Sequence, residues 1–458
     1  MQISKEKVDE LNAVLKLKVE PTDYQEKVEN ILKDYRKKAN MPGFRPGMVP
    51  MGLIKKMYKK PIMAQEINKI LVDSIYKYIE DEKLEILGNP LPKEEDQNNI
   101  DFDTQTDFEF RYELGLSPQF DVKVTEKEKF TKYTITVDEE LLNKNITELA
   151  KRYGKVSETE ISTESDMLQG EFLELDKEDG IKHTSTIAIE FVEDEKVKKS
   201  LVGLKVGDVV KVNPEKVSKG DADMAAMLGV TKDDLKTIGK NFQFTVAKIM
   251  QVKPAEINQD LFDKLFGQDQ VKSVEEFRAK VADELKKALE IDSERKLKKD
   301  IIDTLQDKLK LSLPDDFLKR WLIATNEDKF SAEQVEKEYD DYSSTVKWQL
   351  IEGKIIKEND IKVTNEEVVE HTKGLLKKQF AMYGQEDIEE ELVTNYANNV
   401  LKNKDEVRRI YDNLYDEKVM NLFKNKFTIK NKEVSFDEFV KLATGKVSKF
   451  NLFNKFKF

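Results

Sequence analysis

The sequence predicts a multidomain α+β protein: a small N-terminal sheet with a helical hairpin, an inserted β domain, and an elongated all-α C-terminal body with arms. A length of 458 residues corresponds to about three domains. Alternation of apolar and polar residues, which is typical of strands, is concentrated near the N-terminus and in residues 151–253. From Pro254 onward the apolar residues recur at helical spacing, which predicts an almost wholly helical second half.

The composition favours long helices with wide solvated faces. Charged residues make up 37% of the chain, against roughly 25% in an average soluble domain. Hydrophobic residues make up 39%, which is enough for several modest cores. The formal net charge of −12 argues against a protein that coats nucleic acid along its whole length, although a local basic patch could still bind RNA.

Several kinds of chemistry are disfavoured by the residue content. The absence of cysteine excludes disulfides, thiol catalysis and thiolate metal sites. The two histidines, His183 and His371, are far apart in the sequence, which argues against a histidine-based metal or catalytic site. The sequence has no G-x-x-x-x-G-K-[ST] phosphate loop. We therefore expect no metal, no cofactor and no nucleotide.

The hydropathy pattern predicts a cytoplasmic protein without membrane contacts. The N-terminus, MQISKEKVDELNAVLKLKVE, has no apolar run of signal-peptide length. No stretch approaches the ~20 apolar residues that a membrane-spanning helix needs.

The first predicted domain, residues 1–115, places a helical hairpin on a small antiparallel sheet. Residues 11–20 and 106–115 alternate and predict strands. Pro21 ends the first strand, and Thr22 or Asp23 is predicted to cap the following helix. The segment 40–50, NMPGFRPGMVP, has three prolines and two glycines, which predict an exposed loop before the next helix.

The rest of the chain is predicted to form three parts. Residues 116–150 are predicted to be a connector, with an extended stretch at 133–137 and a helix from about Asp138. Residues 151–253 are predicted to be a compact β domain with strands GEFLEL, TSTIAIEF, GDVVKV and NFQFTVAKI. Residues 254–458 are predicted to be helical, with a capping box at Ser273-Val-Glu-Glu276 and a further helix starting at Leu313-Pro314. The last ten residues, KFNLFNKFKF, have no clear structural signal.

The loop is the strongest candidate for a binding site. Prolines and glycines restrict its conformations, Phe44 offers an apolar anchor, and Arg45 offers a planar donor for a carboxylate or phosphate. Between Ile31 and Lys60 the chain has nine Lys/Arg residues and one acid, Asp34. The alternative is an ordinary solvated hairpin turn. The candidate residues are Gly43, Phe44, Arg45, Pro46, Gly47, Met48, Val49 and Pro50.

The loop resembles the ribosome-binding signature G-F-R-x-G-x-x-P of the trigger factor family and lies at the corresponding place in the chain. The resemblance implies an ATP-independent chaperone that docks at the exit tunnel, contacts a ribosomal protein and ribosomal RNA, and holds nascent or unfolded polypeptides. It also implies a possible homodimer off the ribosome. Family members often have lysine where Pro46 stands, so the salt-dependent part of the affinity should be weaker here. Residues 257–278, Leu313-Pro314 and residues 427–442 resemble the family's helical body.

The β domain resembles the FK506-binding-protein-type prolyl isomerase domain that trigger factors insert between connector and body. Phe172 and Phe242 correspond to pocket aromatic positions, and the alternative is that both are core residues of the β domain. The sequence has Glu195-Lys196-Val197 where active members place a segment with an aromatic side chain, and DADMAAMLGV replaces another aromatic-bearing loop. We expect these changes to wet the pocket and to leave isomerase activity weak or absent.

These features distinguish four candidate functions. A ribosome-associated holdase fits best, and a prolyl isomerase as the main activity is the alternative. The absence of a signal peptide and the docking loop argue against a periplasmic chaperone. A translation factor without clients would not need roughly 200 residues of amphipathic helix after Pro254. Met382 and Tyr383, in a predicted inter-helix turn, are the candidates for client contacts.

Overall fold

The computed structural model describes residues 1–42, 44–45, 47–93, 101–102, 104–177, 180–326, 331–382, 385 and 388–444. The predictions for Gly43, Pro46, Tyr383 and the last ten residues lie outside the described residues, as does the prediction for the side chain of Met382.

The N-terminal part is a four-stranded antiparallel sheet with two helices. The strands are β1 (Gln2–Lys7), β2 (Asn12–Val19), β3 (Ile86–Pro92) and β4 (Phe108–Leu116), in the order β1-β2-β4-β3. The helices are α1 (Pro21–Lys38) and α2 (Met51–Asp81). The alternation predicted for β2 is confirmed, because Leu15, Leu17 and Val19 are fully buried. They share a core with Leu71 and Ile75 of α2.

Sequence reasoning missed the two edge strands and misplaced one helix start. β1 is mostly exposed, and β3 contains Pro90 and Pro92, a residue type that strands tolerate mainly at sheet edges. The prediction that Thr22 or Asp23 caps the first helix is wrong. The helix begins at Pro21 with Glu20 as its N-cap, because proline at the first helical position already has a helical φ angle.

The connector contains β5 (Lys129–Ile135) and α3 (Glu139–Arg152). Asp138 caps the helix, and its carboxylate accepts a hydrogen bond from the Leu141 amide at 2.8 Å. The helix start predicted from the sequence is therefore confirmed.

The middle part is a five-stranded sheet with short helices, as expected for a β domain. Its strands are β6 (Lys155–Glu158), β7 (Met167–Glu174), β8 (Lys182–Ala188), β9 (Val209–Val212) and β10 (Phe242–Lys253). Their order is β6-β10-β7-β8, and β9 also pairs with β10. The helices are α4 (Glu195–Leu201), α5 (Pro214–Val217) and α6 (Asp221–Leu228). The strand predicted over 184–191 ends early, because Ile189–Phe191 form a 3-10 turn.

The second half is helical, as predicted. The helices are α7 (Gln259–Phe266), α8 (Val274–Leu309), α9 (Asp315–Thr325), α10 (Ala332–Glu358), α11 (Asn365–Met382), α12 (Glu390–Val400) and α13 (Lys404–Lys426). A strand, β11 (Thr428–Val434), then pairs with β5, and α14 (Phe436–Thr444) follows. Only half of the predicted capping box forms. Ser273 accepts the Glu276 amide at 3.1 Å, but the Glu276 carboxylate accepts the Lys272 amide at 2.8 Å.

The described chain divides into two compact units. The first contains residues 1–131, 297–376 and 389–430, and the second contains residues 132–296, 377–388 and the chain from 431. In the first unit, α8, α10 and α13 share a core formed by Leu297, Ile301, Ile351, Ile355 and Phe423. The domain boundaries at residues 115, 150 and 253 stay predictions.

Candidate functional sites

The loop between α1 and α2 presents part of its predicted site to solvent. Phe44 is 40% exposed, Met48 is 65% exposed, and Arg45 and Pro50 are also exposed. Val49 is fully buried in the N-terminal core, so its side chain holds the loop against the sheet and helices. We call Phe44, Arg45 and Met48, the exposed signature residues that precede the buried Val49, the docking loop tip.

The loop has a defined internal geometry. The Met48 amide donates to the Arg45 carbonyl at 2.9 Å, and the Phe44 amide donates to the Met41 carbonyl at 3.1 Å. Gly47 has φ +81°, which residues with a side chain rarely adopt.

The helices next to the loop carry a dense positive charge. The nine basic residues between Ile31 and Lys60 lie mostly on exposed positions. Lys37 pairs with Asp34 at 2.8 Å, and Lys55 pairs with Glu29 at 3.5 Å. Exposed pairs of this kind contribute little stability and exchange readily for other anions. The loop tip therefore lies within a basic surface of an acidic protein.

The predicted isomerase pocket residues lie in a closed core. Phe172 and Phe242 are fully buried, and Phe172 contacts Phe244 with ring centroids 4.7 Å apart. Methionines 224 and 227 of α6 belong to the same buried cluster. The expectation of a wetted pocket is therefore wrong, since apolar side chains of α6 fill this core.

The segment Glu195-Lys196-Val197, which replaces the family's aromatic-bearing segment, also differs from the expectation that it wets the pocket. Glu195 and Lys196 begin α4 and are exposed, while Val197 packs against the buried cluster. Asp194 caps this helix, because its carboxylate accepts the Lys196 and Val197 amides at 3.0 and 3.2 Å. The two charges face solvent and do not enter the core.

The helical part exposes some apolar side chains and buries others. Leu375 of α11 and Leu392 and Tyr396 of α12 are nearly half-exposed. An ion pair of 3.5 Å between Lys373 and Glu390 links these two helices. Four aromatic residues of the helical part are partly or fully buried: Phe262, Phe266, Trp321 and Trp348.

Sequence reasoning missed an acidic cluster inside the first unit. Glu352 of α10 lies beside Asp416 of α13, and Asp416 also pairs with Lys298 of α8. Burial and the negative charge of Asp416 raise the pKa of the Glu352 carboxyl to about 7, with Asp412 adding to the effect and Lys298 opposing it. The three helices are distant in sequence, so periodicity gave no signal for this contact.

This pKa predicts that the helical body loses stability as the pH rises from about 4.5 to about 7. The folded state binds the proton of Glu352 more tightly than the unfolded chain, so deprotonation favours unfolding. The difference between the ordinary pKa of 4.5 and the folded-state pKa of about 7 corresponds to about 3 kcal/mol of unfolding free energy. Partial solvent exposure of Glu352 reduces this loss to about 1–2 kcal/mol. Glu352→Gln, which mimics the protonated form, should match the wild type at pH 5 and exceed its stability at pH 8.

Urea unfolding, monitored by tryptophan fluorescence, measures this effect. Trp348 packs in the same core, with its ring centroid 6.5 Å from that of Phe423. Glu358→Gln is the matched control, since Glu358 lies on the same helix in an ion pair with Lys354 at 3.6 Å. Equal pH dependence of the Glu352→Gln variant and the wild type would contradict the prediction.

Among the described residues, no helix has the length and apolar character needed to cross a membrane. Within the same part of the chain, no group of three or more histidine or acidic side chains is arranged to hold a metal ion.

Three family models match successive parts of the chain. Residues 1–149 match the model described as "Bacterial trigger factor protein", residues 156–254 match "Probable trigger factor, FKBP-like domain", and residues 293–443 match "Probable trigger factor, C-terminal domain". Together these segments span most of the 458 residues.

Full-length relatives show the same similarity. A trigger factor of Pelagibacter ubique is 24% identical over 96% of this chain and 89% of its own length. A trigger factor of Treponema denticola is 25% identical over 94% of this chain and 97% of its own length. A solved structure of the trigger factor chaperone, 16% identical, covers 93% of this chain and all of that chain with a TM-score of 0.44. Because three trigger factor family models match successive parts of it, this chain belongs to the trigger factor family.

Proposed function

We propose that this chaperone docks beside the ribosomal exit tunnel through the docking loop tip and holds nascent polypeptides without ATP. The observation that carries the proposal is the exposure of Phe44, Arg45 and Met48 on a loop whose ends are fixed by the buried Val49 and by α2. A restricted loop loses little entropy on binding. The surrounding basic residues favour encounter with ribosomal RNA.

Co-sedimentation with ribosomes tests the docking proposal directly. The wild type should pellet with ribosomes and stay in the supernatant without them. Recovery of the protein in the supernatant at all ribosome concentrations would refute the proposal.

The helical body is the proposed holding surface. The exposed Leu375, Leu392 and Tyr396 form an apolar set on two helices that also carry many charged residues. Dispersed apolar contacts bind unfolded chains weakly at several points, and each contact can be released without an energy source. Met382 and Tyr383 remain candidates for the same role.

Replacing Leu375, Leu392 and Tyr396 together by serine should weaken the holding of unfolded chains by about tenfold, because three partly exposed apolar side chains lose their contact area. Suppression of aggregation of a denatured protein is the measurement. The matched control replaces three exposed valines of the middle domain by serine: Val156, Val206 and Val209. A loss of protection in the control and not in the helical variant would place the holding surface in the middle domain.

Prolyl isomerisation as the main activity is the second candidate. The likeness of residues 156–254 to an FKBP-like domain favours it. The complete burial of Phe172 and Phe242 argues against it, because a prolyl substrate must reach the pocket side chains.

A further inference from the structure

Arg36 differs from its basic neighbours in the last turn of α1. Its Nε–H donates to the Val49 carbonyl at 2.9 Å, and the side chain is half-buried. Lys37 and Lys38 are exposed, and Lys37 pairs with Asp34. The Nε–H edge of the Arg36 guanidinium is therefore directed at the Val49 carbonyl.

The accepting residue, Val49, lies immediately before the start of α2. Its side chain is fully buried, and the next residue, Pro50, is the N-cap of α2. The hydrogen bond therefore joins the end of α1 to the start of α2 and closes the loop between them. A donor with a positive charge makes this a stronger bond than one between neutral groups.

The docking loop tip lies within the segment that this bond closes. Phe44 and Arg45 are fixed by two internal hydrogen bonds, one at Met41 and one at Met48. Without the Arg36 bond, the C-terminal end of this segment would be held by the Val49 side chain and by its continuation into α2. A looser loop loses more entropy when it binds, and the affinity falls accordingly.

We propose that Arg36 is a positioning residue: it holds the Val49 carbonyl so that Phe44 and Arg45 are presented to the ribosome, and it does not itself bind ribosomal phosphate. This rests on the proposed ribosome docking. It separates Arg36 from the other basic residues of the hairpin, whose side chains are exposed.

Variants of the full-length protein test this role. Arg36→Met removes the donor and keeps the aliphatic stem, and Lys37→Met is the matched control because it removes one positive charge from the next residue. The first readout is hydrogen exchange of the Phe44 and Met48 amides in the free protein. The second is ribosome affinity over a salt series, in which the loss of one phosphate contact lowers the log–log slope by about one.

We expect Arg36→Met to speed exchange of both amides and to weaken ribosome affinity roughly three- to tenfold more than Lys37→Met, with the salt slope of the wild type. Arg36→Gln, which supplies a neutral donor, should restore part of the exchange protection and of the affinity, and it replaces Arg36→Met if that variant fails to fold. A slope lowered by about one, unchanged exchange, or unchanged affinity would each overturn the proposal. If the wild type itself does not bind ribosomes, the proposed docking fails, and the exchange data alone still decide whether Arg36 holds the loop.

Discussion

Replacing Phe44 and Arg45 together by alanine is expected to lower ribosome affinity at least about tenfold and to leave the melting temperature unchanged. Both side chains are exposed on the loop, so their loss removes no core packing. An aromatic anchor and an arginine that become buried at an interface are typically worth about 2 kcal/mol or more. Quantitative co-sedimentation of the variant with ribosomes measures the loss.

The control must remove one exposed apolar and one exposed basic side chain elsewhere on the same helical hairpin. Val72 and Lys69 of α2 suit this purpose, because Val72 is 41% exposed, close to the 40% of Phe44, and Lys69 is exposed. Val72→Ala/Lys69→Ala should bind ribosomes as the wild type does. Equal losses in the two double variants would mean that general charge and apolar surface, and not the loop tip, determine the affinity.

The exposed loop tip could be predicted from the sequence because proline and glycine leave the chain few conformations other than a loop. Three prolines and two glycines in residues 40–50 exclude a helix, and the flanking residues have helical periodicity. The support of the tip could not be predicted in the same way. The Arg36–Val49 bond joins a side chain to a backbone carbonyl 13 residues away. Every residue type has a backbone carbonyl, so nothing in the sequence marks Val49 as the acceptor.

Contacts between distant elements limited the prediction of the other sites as well. The acidic pair Glu352 and Asp416 forms because α10 and α13 pack together, and neither residue is unusual on its own helix. The prediction of a wetted isomerase pocket failed for a related reason. The sequence predicts a replaced loop for the segment DADMAAML, but the segment forms helix α6 and directs its methionines into the core.

The filled core changes the role expected for Phe172. In an open pocket this side chain would contact substrate, and its loss would lower catalysis with little effect on folding. In this structure it contacts Phe242 and Phe244 at ring-centroid distances of 6.4 and 4.7 Å, with no exposed surface. Burial of this kind makes it a residue that stabilises the sheet.

Phe172→Ala should therefore destabilise the middle domain by about 3–5 kcal/mol, the usual cost of removing a buried phenylalanine side chain. Native-state hydrogen exchange of the β7 and β10 amides in the full-length protein measures this locally, since unfolding of a multidomain chain is not a single transition. In a prolyl tetrapeptide assay, the isomerisation rate with the wild-type protein should be close to the uncatalysed rate. The reason is that the side chains of Phe172 and Phe242 are fully buried and inaccessible to a substrate.

Phe191→Ala is the matched control for the stability effect. Phe191 belongs to the same domain and is 40% exposed, with the Lys219 ammonium 3.3 Å from its ring centroid. An exposed aromatic with one cation contact contributes about 1 kcal/mol or less. If Phe172→Ala instead folds normally, and the wild type accelerates prolyl isomerisation at the rate of an ordinary isomerase, then α6 must move away from the sheet in solution and Phe172 belongs to a working pocket.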